Sequence, residues 1–196
     1  MGRDKAWLEI DGQPLLARQI QLVRKIGAGE VFISGRVGAD YSRFDCRVLE
    51  DRMVDAGPLG GIATALAEAG SPLLLVLAVD MPRMSAKFLL QLLSGCHNRV
   101  GMVPKVEGAV EPLAAIYPKA AFGLIEELFA TRRGFGLKGQ VLFPLEKSLS
   151  ATKFAEVCVE CGLAEFFDVA ESEREFFENW NYPKDVKGGD KADFID

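Results

Sequence analysis

Residues 71–82 read SPLLLVLAVDMP, and their reading decides the fold. Apolar side chains run without a break from Leu73 to Val79, until Asp80 and Pro82 end the run. The run is too short to cross a membrane. A continuous apolar run bounded by turn residues fits a parallel strand buried on both faces. In sheets of this kind ligands sit at the carboxyl ends of strands, so an acid that closes a strand carries the most interest. Asp80 is one such acid, and Asp51, at the end of a second run, is the other.

Outward from this strand, helices and strands alternate. Upstream, GPLGGIATALAEAG (57–70) is a glycine turn feeding a helix that Gly70 ends. Downstream, Ser85 caps a helix reaching Leu93. Leu15, Leu16, Gln19, Ile20, Val23 and Ile26 keep near-helical spacing, and Gly27 stands where a glycine stops a helix. EVFISG (30–35) and RVLE (47–50) read as strands, as do RVGMVP (99–104), EPLAAIYP (111–118) and LAEFFDVA (163–170). Pro118 opens a helix over 119–130, and another spans 151–161 with Gly162 as its stop. TRRGFGLKGQVLFPLEKS (131–148) is a glycine-rich, basic loop with a short strand at 141–143. The pattern is α/β, with a mostly parallel sheet covered on both faces. Residues 1–186 form one domain without an internal repeat, and the polar tail frays.

Composition narrows the function. The 196 residues are 49% hydrophobic and 26% charged, which is globular. Lys and Arg total 23 against 28 Asp and Glu, a net charge of -5 that argues against nucleic acid as a partner. No stretch reads as a membrane span or a signal peptide. Four cysteines form no disulfide framework, so the expected compartment is the reducing cytoplasm.

Asp80 at a strand rim can hold a hard cation; magnesium takes one or two protein carboxylates, with phosphate oxygens and water completing its shell. The competing reading, a turn acid ahead of the Ser85 helix, stands level with it. Asp51 has a similar pair of readings, the bland one being a solvated turn acid beside Arg52. GPLGG (57–61) offers close backbone approach and free N–H groups at a helix start, both useful to a nucleotide, although alone it reads as a plain turn. Lys5 can neutralise phosphate or be simply solvated. Cys158 and Cys161 form a lone C-x-x-C without a second pair at zinc spacing, so they read as packing. His97 is the sole histidine and takes no role; Phe166, Phe167, Phe176, Phe177 and Trp180 read as core.

In their order, MGRDKAWLEIDGQPLL, LEDRMVDAGPLGGI, LAVDMP, EPLAAIYP and FENWNYPKDV resemble the molybdenum cofactor guanylyltransferase family over almost the whole chain. The resemblance implies a Rossmann-like three-layer α/β/α nucleotidyltransferase fold with a mostly parallel mixed sheet. It implies transfer of GMP from GTP to molybdopterin or molybdenum cofactor, with Mg2+, and partners among molybdoenzymes or cofactor-insertion proteins. Lys5 becomes the phosphate-contacting lysine and Asp80 the magnesium ligand. Ser34, Asp51, Gly57, Pro58, Leu59 and Gly60 fall at nucleotide-contacting positions. Asn179 and Asn181 fall on the metal and pterin side.

Two departures qualify the transfer. The family's Leu-Ala-Gly-Gly and the strand before it have no counterpart. Met1, Gly2, Asp4 and Lys5 match only the second half of that phosphate loop, so Met1 reads as an internal methionine, and the sheet is expected to carry an open edge. Residues 131–148 are also long, either a lid with Arg132, Arg133 and Lys138 on phosphate or a solvated insertion. A molybdopterin cytidylyltransferase, another sugar- or alcohol-phosphate nucleotidyltransferase, and a non-catalytic cofactor-binding or docking protein are the alternatives.

Overall fold

The computed structural model describes residues 5–35, 38–50, 56–132 and 150–180. Met1, Gly2, Asp4, Asp51, Asn181, Arg133, Lys138, the side chain of Arg132, the strand expected at 141–143 and the polar tail lie outside these residues.

The helices end where the sequence places stops, and for a visible reason. Helix α1 (Leu15–Lys25) is followed by Gly27 at φ 88. Gly27 N–H donates to the Arg24 carbonyl at 3.0 Å and Ala28 N–H to that of Val23 at 3.1 Å, so two otherwise orphaned carbonyls are satisfied by a left-handed glycine. Helix α2 (Pro58–Glu68) begins with proline at a position that has no intrahelical N–H bond to lose. The Ser85 hydroxyl accepts the Phe88 N–H at 3.1 Å and starts α3 (Ala86–Gly95). Helices α4 (Ala121–Arg132) and α5 (Ala151–Glu160) follow, the latter capped by Ser150.

One short hairpin and one separate parallel pair interrupt this pattern. Strands β1 (Glu9–Ile10) and β2 (Gln13–Pro14) pair around Asp11 and Gly12, both at positive φ. An Asp-Gly turn of that kind matches the twist of a hairpin. Strands β3 (Phe32–Ser34) and β4 (Arg47–Leu49) form a separate parallel pair. The larger sheet contains β5 (Leu73–Leu77), β6 (Gly101–Val106), β7 (Ala109–Val110), β8 (Ala114–Pro118) and β9 (Ala164–Asp168).

Within that sheet β5 pairs with β8 antiparallel, from Leu73↔Pro118 to Leu77↔Ala114. β8 also runs against β6, whereas β9 runs parallel to β6. Three strands, β5, β6 and β9, therefore share one direction, with β8 reversed between β5 and β6. The sheet is mixed, as expected, but the partner of β5 is not the parallel neighbour its sequence suggests. Burial on both faces alone makes a strand continuously apolar, whichever way its partner runs.

Helices cover both faces. Leu74, Val76, Ala115 and Tyr117 point into one core with Leu59, Leu66, Ile125 and Phe154 of α2, α4 and α5. Leu75, Leu77 and Ala114 point into the opposite core with Phe88, Leu89, Met81 and Leu22 of α1, α3 and the turn between β5 and α3. This alternation is the strand period of two. Yet every residue of β5 is only half-buried. Among the described residues β5 has β8 on one edge and no strand on the other.

Candidate active site

Two residues from opposite ends of the sequence argument meet at the carboxyl end of β5. Lys5 stands on a 3₁₀ turn, Lys5–Trp7, and its Nζ lies 2.7 Å from Oδ2 of Asp80. The Asp80 side chain is 18% exposed and that of Lys5 41%, so the pair forms a rim rather than a core contact.

Main-chain contacts fix the Asp80 turn from both flanks. The Asp80 carbonyl accepts the Trp180 N–H at 2.8 Å. The next carbonyl, of Met81, accepts from Nε2 of Gln19 at 2.7 Å, and Gln19 is buried on α1. Arg83 then pairs with Glu175 at 3.1 Å and Glu178 at 3.5 Å, fastening the 3₁₀ segment Glu171–Phe177 against the same turn. Asn179, exposed, is thereby held one residue from the backbone that grips Asp80. Trp180 itself is buried, in keeping with a packing role.

The glycine turn takes its expected place at a helix start. Gly57 adopts φ 55, a conformation that favours a residue without Cβ. Among the described residues no side chain caps α2 and no acid occupies its first turn, so its leading N–H groups are suited to an anion. Gly60 N–H is already used, donating to the Gly57 carbonyl at 3.1 Å. Leu59 sends its side chain wholly into the core, leaving only its backbone to the loop. Ser34 ends β3, and it lines the same cavity as Pro58 and Val79, the neighbour of Asp80. The structure thus brings Lys5, Asp80 and Asn179 together, and Ser34 and Pro58 to the adjoining space.

The sequence reading assigned no role to Glu111. The β5–β8 register, extended by Ala78 N–H donating to the Leu113 carbonyl at 2.7 Å, brings Glu111 opposite Asp80. Burial pushes the Glu111 carboxyl pKa up; the Leu113 N–H opposes this, and the Asp80 charge adds to it. The available signal was an acid immediately ahead of a strand, but only register reveals its neighbour. A carboxyl pKa raised by folding means that the native state holds the proton more tightly than the unfolded chain. Its effect on stability is most favourable below the ordinary value of 4.5 and is lost as pH rises through the native pKa. Glu111→Gln is therefore expected to raise the melting temperature at about pH 7 in metal-free buffer, with the gain shrinking toward about pH 4. Thermal unfolding at both values checks this, and a gain that grows on acidification would refute it.

Chemically, this end offers oxygen donors for a hard cation, a lysine for phosphate and backbone N–H groups for an anion. Among the described residues no group of three His, Cys, Asp or Glu side chains is placed to hold a metal. Magnesium binds through one or two carboxylates and keeps phosphate and water as its other ligands, so Asp80 with Glu111 nearby is a donor set of the kind it uses. The C-x-x-C offers no rival: Cys158 is buried, its thiol pushed up to about 12 by burial, and Cys161 is exposed. No described helix is long and apolar enough to cross a membrane.

The chain is similar to known proteins in sequence and in fold. The family described as MobA-like NTP transferase domain matches residues 1–142. A protein named probable molybdenum cofactor guanylyltransferase, from Opitutus terrae, is 36% identical over 191 residues, covering 94% of this chain and 86% of that one. A molybdenum cofactor guanylyltransferase from Pseudomonas aeruginosa is 36% identical over 148 residues, 74% of this chain and 73% of its own length. In three dimensions the chain is similar to molybdopterin-guanine dinucleotide biosynthesis protein A from Archaeoglobus fulgidus, with a TM-score of 0.63 at 22% identity over 95% of this chain and 89% of that one. It is equally similar to 2-C-methyl-D-erythritol 4-phosphate cytidylyltransferase from Thermus thermophilus, with a TM-score of 0.63 at 21% identity over 93% and 90%. These two likenesses establish the fold.

Proposed function

Since the chain belongs to the MobA-like NTP transferase family, together with the molybdenum cofactor guanylyltransferases, we propose that it transfers GMP from GTP to molybdopterin or its metal-loaded form. The observation that carries the reading is the Lys5–Asp80 pair at 2.7 Å beside an uncapped helix start, two cationic or hydrogen-bonding elements and one carboxylate at a single strand end.

In this reading the terminal phosphate of molybdopterin attacks the α-phosphate of GTP. One phosphorus–oxygen bond forms to the pterin phosphate, the bond to the β-phosphate breaks, and pyrophosphate departs with its electron pair. The nucleophile is already an anion, so no general base is required. The chain's residues align two anions and offset their repulsion by positioning and fixed charge. Lys5 acts as a point charge on the nucleotide phosphates. The backbone at Gly57, Pro58, Leu59 and Gly60 admits the nucleotide closely, and Ser34 stands at the same rim. Asn179 approaches from the pterin side. Asp80, with Glu111 at hand, would hold magnesium, which when bound would supply charge stabilisation to the phosphates. Asp51 and Asn181, outside the described residues, keep their proposed places at the guanine and pterin sides. We place the reaction in the cytoplasm, within a domain spanning residues 1–186, with molybdoenzymes or cofactor-insertion proteins receiving the product.

Pyrophosphate release with molybdopterin, compared across GTP, CTP, ATP and UTP, tests the reading, and GTP is expected to be preferred by at least about tenfold, the scale of one lost hydrogen-bonded contact. A preference for CTP makes the chain a cytidylyltransferase. Calorimetric binding of GTP without release from any nucleotide makes it a binding protein.

A further inference from the structure

The phosphate contact and the nucleotide rim proposed above stand on separate elements, Lys5 on the turn Lys5–Trp7 and Ser34 at the end of β3. Aromatic rings connect them. Trp7 lies parallel to Tyr41, with 3° between the ring planes and 6.1 Å between centroids. It also meets Phe44 at 5.2 Å. Tyr41 in turn presses against Gly35, the residue after Ser34. A Cβ on Gly35 would overlap Cε2 of the Tyr41 ring and come within 2.9 Å of its Cδ2. One side chain, Tyr41, therefore touches both the Lys5 turn and the end of β3.

This bridge has little freedom. Tyr41 is 4% exposed and packs with Phe44, Ala6, Ile20 and Ile33, so its cluster draws on the Lys5 turn, α1 and β3 together. The backbone beneath the rings is a second 3₁₀ turn, Ser42–Phe44. The Asp40 carboxylate accepts the Ser42 N–H at 2.9 Å, and the Tyr41 carbonyl accepts the Phe44 N–H at 3.1 Å, which fixes the direction in which Tyr41 leaves the chain. The exposed Arg43 lays its guanidinium over Trp7 at 5.4 Å and over Phe44 at 5.5 Å. A close-packed ring of this kind transmits a change of volume to whatever it touches. Gly35 is not among the glycines at positive φ, so the ring and not the backbone excludes a side chain there.

Resting on the roles given above to Lys5 and Ser34, we propose that Tyr41 is a positioning residue for nucleotide binding. It is a spacer between Trp7 and Gly35 that sets the distance from the Lys5 ammonium to the Ser34 end of β3, and so the fit of a nucleoside triphosphate between them. Tyr41 touches no reacting atom. The spacer is its ring, so phenylalanine can serve in its place.

Calorimetry on the full chain at saturating magnesium, with whichever of GTP, CTP, ATP and UTP the wild type binds best, tests this. Tyr41→Leu takes volume out of the spacer, whereas Gly35→Ala adds a methyl group against it. Each is expected to raise the nucleotide Kd by about tenfold, the scale of one weakened contact to a charged group. Tyr41→Phe keeps the ring and is expected to stay within about threefold of wild type. In a Lys5→Ala background the effect of Tyr41→Leu is expected to shrink below about threefold, because the group being positioned is gone. A merely structural role would lower the fraction of competent protein, read as stoichiometry, and leave Kd where it was. Where Tyr41→Leu does not fold, Gly35→Ala and Tyr41→Phe decide. The proposal fails if Kd is unmoved in folded Gly35→Ala, if Tyr41→Phe weakens binding as much as Gly35→Ala, or if the loss persists in full without Lys5. Preference for CTP, or binding without turnover, overturns the guanylyl transfer proposed above and leaves this spacer standing. A wild type that binds none of the four nucleotides removes both.

Discussion

Asp80→Asn is expected to reduce GMP transfer by at least about a hundredfold, the usual cost of losing one preorganised charge-stabilising group. The side chain keeps its size, and its carbonyl oxygen can still accept from Lys5 Nζ, which now lies 2.7 Å away. What disappears is the negative charge. On the proposed reading a hard cation would lose its anionic protein ligand, while Lys5 would remain and repel that cation. Stability should hardly change. A partly exposed ion pair contributes only about 0–1 kcal/mol, and the backbone grips on the turn, from Trp180 and Gln19, do not involve the Asp80 carboxylate. Turnover at saturating magnesium and thermal unfolding, measured on the same preparation, separate the two effects. Undiminished magnesium-dependent turnover would remove Asp80 from the mechanism.

Local chemistry made much of this arrangement legible. Gly27 and Gly162 end helices through left-handed backbone, at φ 88 and φ 70, and Ser85 starts one through its hydroxyl. Each depends on a handful of adjacent residues, so each can be read in line. The acid at the end of the apolar run was legible for the same reason. The hairpin at Asp11 and Gly12 carries an Asp-Gly signal, but its strands contain only two residues each and leave no alternation to read. Glu107 and Gly108 repeat that turn between β6 and β7. Two features were not in the local pattern at all. The direction of the partner of β5 leaves no mark on a strand that is apolar on both faces. The nearness of Glu111 to Asp80 follows from the register between β5 and β8, over thirty residues apart in sequence. Pairing of that kind is set by the whole sheet and not by either strand.

Phe88→Ala is expected to cost about 3–5 kcal/mol of stability, the range for truncating a buried phenylalanine. Phe88 is 1% exposed on α3 and meets three other rings: Phe167 of β9 at 5.9 Å, Phe176 at 5.9 Å and Phe177 at 5.2 Å. The contacts with Phe167 and Phe177 are edge-to-face, a geometry that adds to the area buried. Loss of the ring leaves a cavity that α3, β9 and the Glu171–Phe177 segment cannot all close at once. The consequence reaches the site, because that segment leads directly to Trp180, whose N–H holds the Asp80 carbonyl. Phe88→Leu retains more of the volume and should lose less. Chemical denaturation of the two variants gives the stability order, and amide exchange at Trp180 reports whether the grip on Asp80 loosens with it. If Phe88→Ala loses stability while Trp180 remains as protected as before, relative to global unfolding, the ring cluster stabilises the fold without positioning the site. Faster exchange at Trp180, beyond the global loss, ties the aromatic core to the carboxylate it supports.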